Sequence, residues 1–262
     1  MEKDVKEVIL LVDDHEEILE FVSDDLSERF QVLTAANGKE GLAILEKEIV
    51  NLVISDVMMP EMDGFEFCKK IKSSIEFSHI PVILLTAKNT LQSKIQGLEI
   101  GADVYIEKPF SPEYLQVQAS SLIANRNKIK AYFASSPLLH LKSMATSKAD
   151  EQFLERIQCI LDKNISNPDL DVEHLANNMN MSRPTLYRKI KSISSCTPNE
   201  LIHVSRLKKA AELLNEGELK IYEISEMVGY SSQTHFGRVF SKQFGMSPTE
   251  YVSSQQTEKR RM

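Results

Sequence analysis

The sequence predicts two domains of different class, an α/β domain followed by an all-α domain. Three observations carry this reading. In the first half, short apolar β-branched runs alternate five times with amphipathic helical patterns, which is how a parallel sheet covered on both faces is written. In the second half the apolar spacing is helical throughout. The charge divides at the same place: residues 1–125 carry 11 Lys/Arg and 23 Asp/Glu, whereas 126–262 carry 20 and 15. An acidic half joined to a basic half points to a regulator attached to a nucleic-acid binder.

Composition agrees with a globular, cytoplasmic protein. The 262 residues suffice for two ordinary domains, and 42% are hydrophobic. No apolar run is long enough to span a bilayer, and the start does not read as a signal peptide. Cys68, Cys159 and Cys196 are scattered with no CxxC spacing, so reduced thiols are expected rather than a disulfide frame.

Taken in order, residues 8–12 (Val-Ile-Leu-Leu-Val) are the first strand, and 15–29 a helix with Ile18, Leu19, Val22 and Leu26 on one face. A strand at 31–35 turns at Asn37-Gly38 into a helix holding Leu42, Ile44 and Leu45. Leu52, Val53 and Ile54 form the third strand, which stops at Ser55-Asp56; Pro60 and Asp63-Gly64 force a turn into a helix over 65–72. Pro81 opens a strand at 82–85, a helix over 90–101 carries Leu91, Ile95 and Leu98, and a strand at 104–106 follows. Pro112 then begins a fifth helix at a favourable first-turn position. Five such alternations give a doubly wound, flavodoxin-like (βα)5 domain with its site at the carboxyl ends of the strands.

At those ends the sequence sets Asp13-Asp14, Asp56, Thr86-Ala87 and Lys108. Clustered carboxylates repel unless a cation neutralises them, and oxygen ligands alone suit Mg²⁺. A carboxylate beside Mg²⁺ can attack phosphorus and become an acyl phosphate. Lys108 can neutralise a phosphoryl oxygen and the Thr86 hydroxyl can bond another.

These residues, with Pro60, Asp63-Gly64, Gly101-Ala102-Asp103 and Lys108-Pro109-Phe110, make residues 1–126 resemble the receiver domain of a two-component response regulator. The spacings agree, with Thr86 30 residues and Lys108 52 residues beyond Asp56. The resemblance implies that Asp56 accepts phosphate from a kinase histidine. It implies that Asp14 and Asp56 bind Mg²⁺ directly, Asp13 through water, and the backbone carbonyl of Met58 completes the protein ligands. Tyr105 matches an aromatic switch position; the residues alone also allow an aromatic packing on an edge strand.

From residue 127 to 150 the pattern weakens into a linker, helical at its start. Residues 151–162 form a helix, and 170–179 another. After Asn180-Met181 comes Ser182 to Lys191, with Ser182 as N-cap, Leu186 and Ile190 inward, and Arg183, Arg188, Lys189 and Lys191 cationic. The design recurs: a helix at 221–228, a turn at Gly229-Tyr230, and a helix over 232–244 bearing Gln233, Thr234, His235, Arg238 and Lys242. Between the two units lie residues 198–215, roughly 27 Å long if helical, comparable with the ~34 Å between successive major-groove faces.

With Glu223-Ile224-Ser225, Val228-Gly229-Tyr230, Phe236, Phe240, Phe244-Gly245 and Ser247-Pro248, residues 151–253 resemble the AraC/XylS-type DNA-binding domain with its tandem helix-turn-helix units. The resemblance implies contacts to double-stranded DNA by Arg183, Thr185 and Arg188 in one groove and by Gln233, Thr234, His235 and Arg238 in the next. Each can equally be a solvated side chain. Pro184 stands where relatives often carry a base-reading side chain. Residues 254–262 are expected to be a disordered tail.

The expectation is a cytoplasmic two-component transcriptional regulator, an activator or a fragment of a hybrid sensor kinase, and not an enzyme. Its expected partners are DNA, a histidine kinase transmitter in trans or in the same polypeptide, RNA polymerase, and a second copy on phosphorylation. Receivers would pair through the helix at 90–101, the fifth strand and the helix from Pro112; no membrane contact is expected. Two alternatives stand beside it. An aspartate-nucleophile phosphatase of the haloacid-dehalogenase kind needs a second Asp where Met58 stands. A receiver-bearing DNA binder could instead answer to a ligand.

Overall fold

The computed structural model describes residues 6–87, 99–135, 145, 147–194 and 196–259. The chain divides into two compact units, Met1–Ile129 with Thr146–Glu151, and Lys130–Ala145 with Gln152–Met262.

In the first unit, β1 (Val8–Val12), β2 (Gln31–Ala35), β3 (Leu52–Asp56), β4 (Val82–Thr86) and β5 (Val104–Glu107) form one parallel sheet in the order β2-β1-β3-β4-β5. Alternation along each strand decides which layer its side chains serve. Leu10, Val12, Val53, Val82 and Leu84 join Leu45, Phe67, Cys68 and Ile71 from α2 (Gly38–Lys47) and α3 (Gly64–Ser73). Ile9, Leu11, Leu52, Ile54, Ile83 and Leu85 join Val22 and Leu26 from α1 (Glu16–Ser27) and Leu115, Ala119 and Ile123 from α4 (Pro112–Ser135). Both faces of the central strands β1, β3 and β4 are therefore dry, which is why those strands read as largely apolar runs. The register places Asp56 beside Leu85 and Thr86 beside Glu107, so the strand ends are level at one edge. The helix expected over 90–101 lies largely outside the described residues; Glu99 and Ile100 are helical.

The second unit is helical. α5 (Lys148–Asn164), α6 (Val172–Met179) and α7 (Arg183–Ser194) bury Ile157, Leu161, Leu175, Leu186, Ile190 and Ile193 together. α9 (Ile221–Met227), α10 (Gln233–Phe244) and α11 (Pro248–Lys259) surround an aromatic core in which Phe240 meets Phe236 at 5.6 Å, Phe244 at 4.4 Å and Tyr251 at 5.5 Å between ring centroids. α8 (Pro198–Glu216) serves both cores, giving Leu201 and Ile202 to the first and Leu207, Ala210 and Leu214 to the second. Thr197 and Glu200 close its N-terminus as a capping box, and Gly217, at φ +75°, ends it.

Two boundaries differ from the sequence reading. The linker, expected to be helical at its start, is helical at its end as well, from Lys148. The expected disordered tail continues α11 as helix to Lys259. The stretch after Tyr251 carries almost no apolar signal, but Gln, Glu and Lys are sound helix formers once Ser247 and Glu250 have capped the start.

Candidate acidic site and reading helices

Asp56 closes β3 with its side chain buried, 6% exposed. Its Oδ2 accepts the Met58 amide N–H at 2.5 Å, and its Oδ1 lies 2.6 Å from Lys108 Nζ. The same ammonium stands 2.8 Å from Oδ2 of Asp13, which is fully buried just past β1. Lys108 reaches the site because its backbone N–H extends the sheet, donating to the Thr86 carbonyl at 2.7 Å. Thr86 is itself buried at the end of β4, with Ala87 exposed after it.

The loop over Asp56 depends on one residue. Gly64 donates its N–H to the Val57 carbonyl at 3.0 Å, and a Cβ there would lie 2.1 Å from the Asp56 carbonyl oxygen. Asp63 caps α3 by accepting from the Glu66 N–H. Glu61 takes the left-handed conformation at φ 62°, which lets Met62 turn back beneath the loop.

Burial pushes the Asp56 carboxyl up from the ordinary range, while Lys108 and the Met58 N–H pull it back. For Lys108 burial acts to lower the pKa, but the hydrogen bonds to Asp13 and Asp56 outweigh it and the ammonium is raised. His15, not singled out in the sequence, joins the site: its backbone N–H donates to Asp13 Oδ1 at 3.0 Å, and its Nδ1 lies 3.0 Å from Asp14 Oδ1. Asp14 chiefly, then Asp13, raise its pKa.

One ligand atom each from Asp13, Asp14 and His15 fall within 4.8 Å of one another. The carboxylate oxygens of Asp13, Asp14 and Asp56 are a hard donor set that fits Mg²⁺; the imidazole nitrogen is outside Mg²⁺'s preference. Met58, expected to offer its carbonyl, meets Asp56 through its N–H. Tyr105 is half-buried against the α2–α3 layer, and its buried hydroxyl has no hydrogen-bond partner among the described residues.

In the helical unit, Asn180 (φ 55°) and Gly229 (φ +77°) make the tight turns before α7 and α10. Ser182 caps α7 by accepting the Thr185 N–H, and Ser232 caps α10 by accepting the His235 N–H. Arg183 is exposed, with its guanidinium 3.4 Å from the Glu173 carboxylate; Thr185 and Arg188 are half-buried. Gln233, Thr234, His235 and Arg238 are all exposed on α10. Lys189, one of the cationic residues of α7, is 1% exposed, with its ammonium 5.7 Å from the Phe153 ring centroid. It stands three residues after Leu186 and one before Ile190, so the helical period turns it toward the core and its long stem packs there.

Residues 9–120 match the family model of the response regulator receiver domain, and residues 175–254 match that of a helix-turn-helix domain. The chain joins a response regulator receiver domain to an AraC-type helix-turn-helix domain. The receiver is similar to a probable transcriptional regulator, ycf27, of Porphyra purpurea, 42% identical over 47% of this chain and 50% of that protein. A protein of Formosa agariphila described as histidine kinase P4 is 39% identical over 94% of this chain but only 18% of its own length. The chain thus spans half or less of these relatives. The crystal structure of a CheY-like receiver from Methanospirillum hungatei JF-1 is 32% identical, covering 47% of this chain and 98% of that one, with a TM-score of 0.45. No helix among the described residues is long and apolar enough to cross a membrane.

Proposed function

We propose that this response regulator takes a phosphoryl group on Asp56 from a histidine kinase and thereby controls how its two reading helices hold DNA. The observation that carries the reading is the triangle of Asp56, Asp13 and Lys108 at the level edge of the sheet. An Asp56 carboxylate oxygen would attack the phosphorus of a phosphohistidine; the P–N bond breaks, and the imidazole leaves with a proton from solvent. Asp13, Asp14 and Asp56 would hold Mg²⁺, whose charge offsets that of the phosphoryl group. Lys108 would follow the developing negative charge on a phosphoryl oxygen, and Thr86 with the Ala87 N–H would bind another. Tyr105 would respond to the movement of Thr86.

The output is read as base and phosphate contacts by Arg183, Thr185 and Arg188 in one major groove and by Gln233, Thr234, His235 and Arg238 in the next. Arg forks onto guanine and Gln onto adenine. Pairing of two receivers would bring two such domains to repeated sites in the cytoplasm, where the complex would recruit RNA polymerase as an activator. Similarity to a short portion of a much longer kinase favours a donor histidine within the same polypeptide over one in trans. The domain limits that serve this reading are 1–126 for the receiver and 151–253 for the DNA-binding domain.

The test is phosphoryl labelling. Acetyl phosphate with Mg²⁺ should label the chain, chelator should stop it, and Asp56→Asn should abolish it. Persistent labelling of that variant would move the acceptor elsewhere.

A further inference from the structure

Arg206 lies on α8 between Ile202, which belongs to the first helical core, and Leu207, which belongs to the second. It is 5% exposed. Its Nη2 donates to the Asn167 carbonyl at 2.6 Å. That carbonyl also accepts from the N–H of Leu170, a residue of the first helical core just before α6. The guanidinium also meets the second helical core, 5.7 Å from the Tyr230 ring centroid. Tyr230 in turn contacts Phe236 at 5.5 Å and His235 at 5.6 Å, both in the first turn of α10. Gly229 makes room for this arrangement: a Cβ there would lie 2.9 Å from Arg206 Nη2 and 2.6 Å from the Ile165 carbonyl.

Two bodies strung on one helix can twist about it and bend with it. A second point of attachment removes that freedom. A buried guanidinium is a costly way to fill space, and a leucine would fill it more cheaply; what the guanidinium adds is direction. It ties the turn before one helix-turn-helix to the turn inside the other, across the middle of the rod that separates them.

We infer that Arg206 is a positioning residue that sets the placement of one reading helix relative to the other, and with it the spacing between the two DNA boxes that the chain accepts. This rests on the tandem DNA reading proposed above.

The test uses the full chain and duplexes selected with it from a random-sequence library. Affinity is measured for the selected duplex, for versions with one base pair inserted or removed between the boxes, each a rotation of about 35°, and for a duplex carrying one box alone. The unmodified chain should prefer its selected spacing by about tenfold or more. Arg206→Met should shrink that preference below about threefold while changing single-box binding by less than about twofold. Tyr230→Leu, which removes the ring and leaves the arginine, should do the same if Arg206→Met does not fold by circular dichroism. Folded variants that keep the full spacing preference would overturn the inference and leave Arg206 as packing. If the unmodified chain selects no two-box DNA, the tandem reading itself is overturned, whatever Arg206 does.

Discussion

Lys108 Nζ stands 2.6 Å from Asp56 Oδ1, and the same ammonium is 2.8 Å from Asp13 Oδ2. One cation therefore serves two buried carboxylates from different strands. The arrangement stores the charge that a phosphoryl group would need, and it makes the site sensitive to any second cation.

Removal of that ammonium should show in stability. In chelator, Lys108→Met should destabilise the receiver by about 1–3 kcal/mol, because two buried carboxylates lose their partner. Mg²⁺ should restore more stability to the variant than to the unmodified chain, since it would take over the neutralising role. Urea unfolding with EDTA and with Mg²⁺ measures both. Equal Mg²⁺ responses in the two proteins would argue against Asp13, Asp14 and Asp56 as the cation's ligands.

Gly64→Ala should be among the most damaging small substitutions in the receiver. The new methyl would fall 2.1 Å from the Asp56 carbonyl and 2.9 Å from Val57 Cα, both backbone atoms that cannot step aside cheaply. A loss of roughly 2 kcal/mol or more is expected from such overpacking, with weaker labelling by acetyl phosphate. Unchanged unfolding and labelling would mean that the β3–α3 loop is more pliable than its packing indicates.

The three thiols should differ in reactivity. Cys159 is exposed, Cys196 is half-buried with its pKa raised by burial, and Cys68 is buried with its pKa pushed up to about 11. A raised thiol pKa keeps the unreactive SH form at higher pH, so at pH 8 about one Cys68 in a thousand would be thiolate. Alkylation followed by peptide mass mapping should modify Cys159 first and Cys68 only on unfolding.

Arg188 and Lys189 are neighbours with different expected roles. Arg188→Ala should cost about 1–3 kcal/mol of specific DNA binding if the side chain reads a base. Lys189→Met should leave DNA affinity nearly unchanged, because the ammonium is buried over Phe153 rather than offered to phosphate. Quantitative binding of both variants to one selected duplex separates the cases, and a large loss with folded Lys189→Met would place that lysine on the DNA side.

The central strands were legible because they are dry on both faces, so that Val8–Val12 and residues 82–85 read as unbroken apolar runs. The convergence of Asp13, Asp56 and Lys108 was legible for the same reason: each lies at or just past a strand end, and parallel strands bring those ends to one edge. His15 was not, since its contact with Asp13 arises from a local bend that one residue type does not announce. The burial of Lys189 was not read, although its place in the helical period, three residues after Leu186 and one before Ile190, turns it inward. Arg206 carries no local signal at all; its role appears only once Asn167 and Tyr230, 39 residues before it and 24 after it, meet across the rod. The continuation of the last helix past residue 253 to Lys259 was not legible, because that polar stretch has no apolar stripe to reveal it.

The most direct test of phosphoryl control is operator occupancy as a function of Asp56 chemistry. A selected two-box duplex is titrated with the chain alone, with the chain treated with acetyl phosphate and Mg²⁺, and with Asp56→Asn treated in the same way. The account predicts that treatment raises affinity for the unmodified chain and leaves the Asp56→Asn variant where it began. Equal occupancy in all three titrations would contradict it.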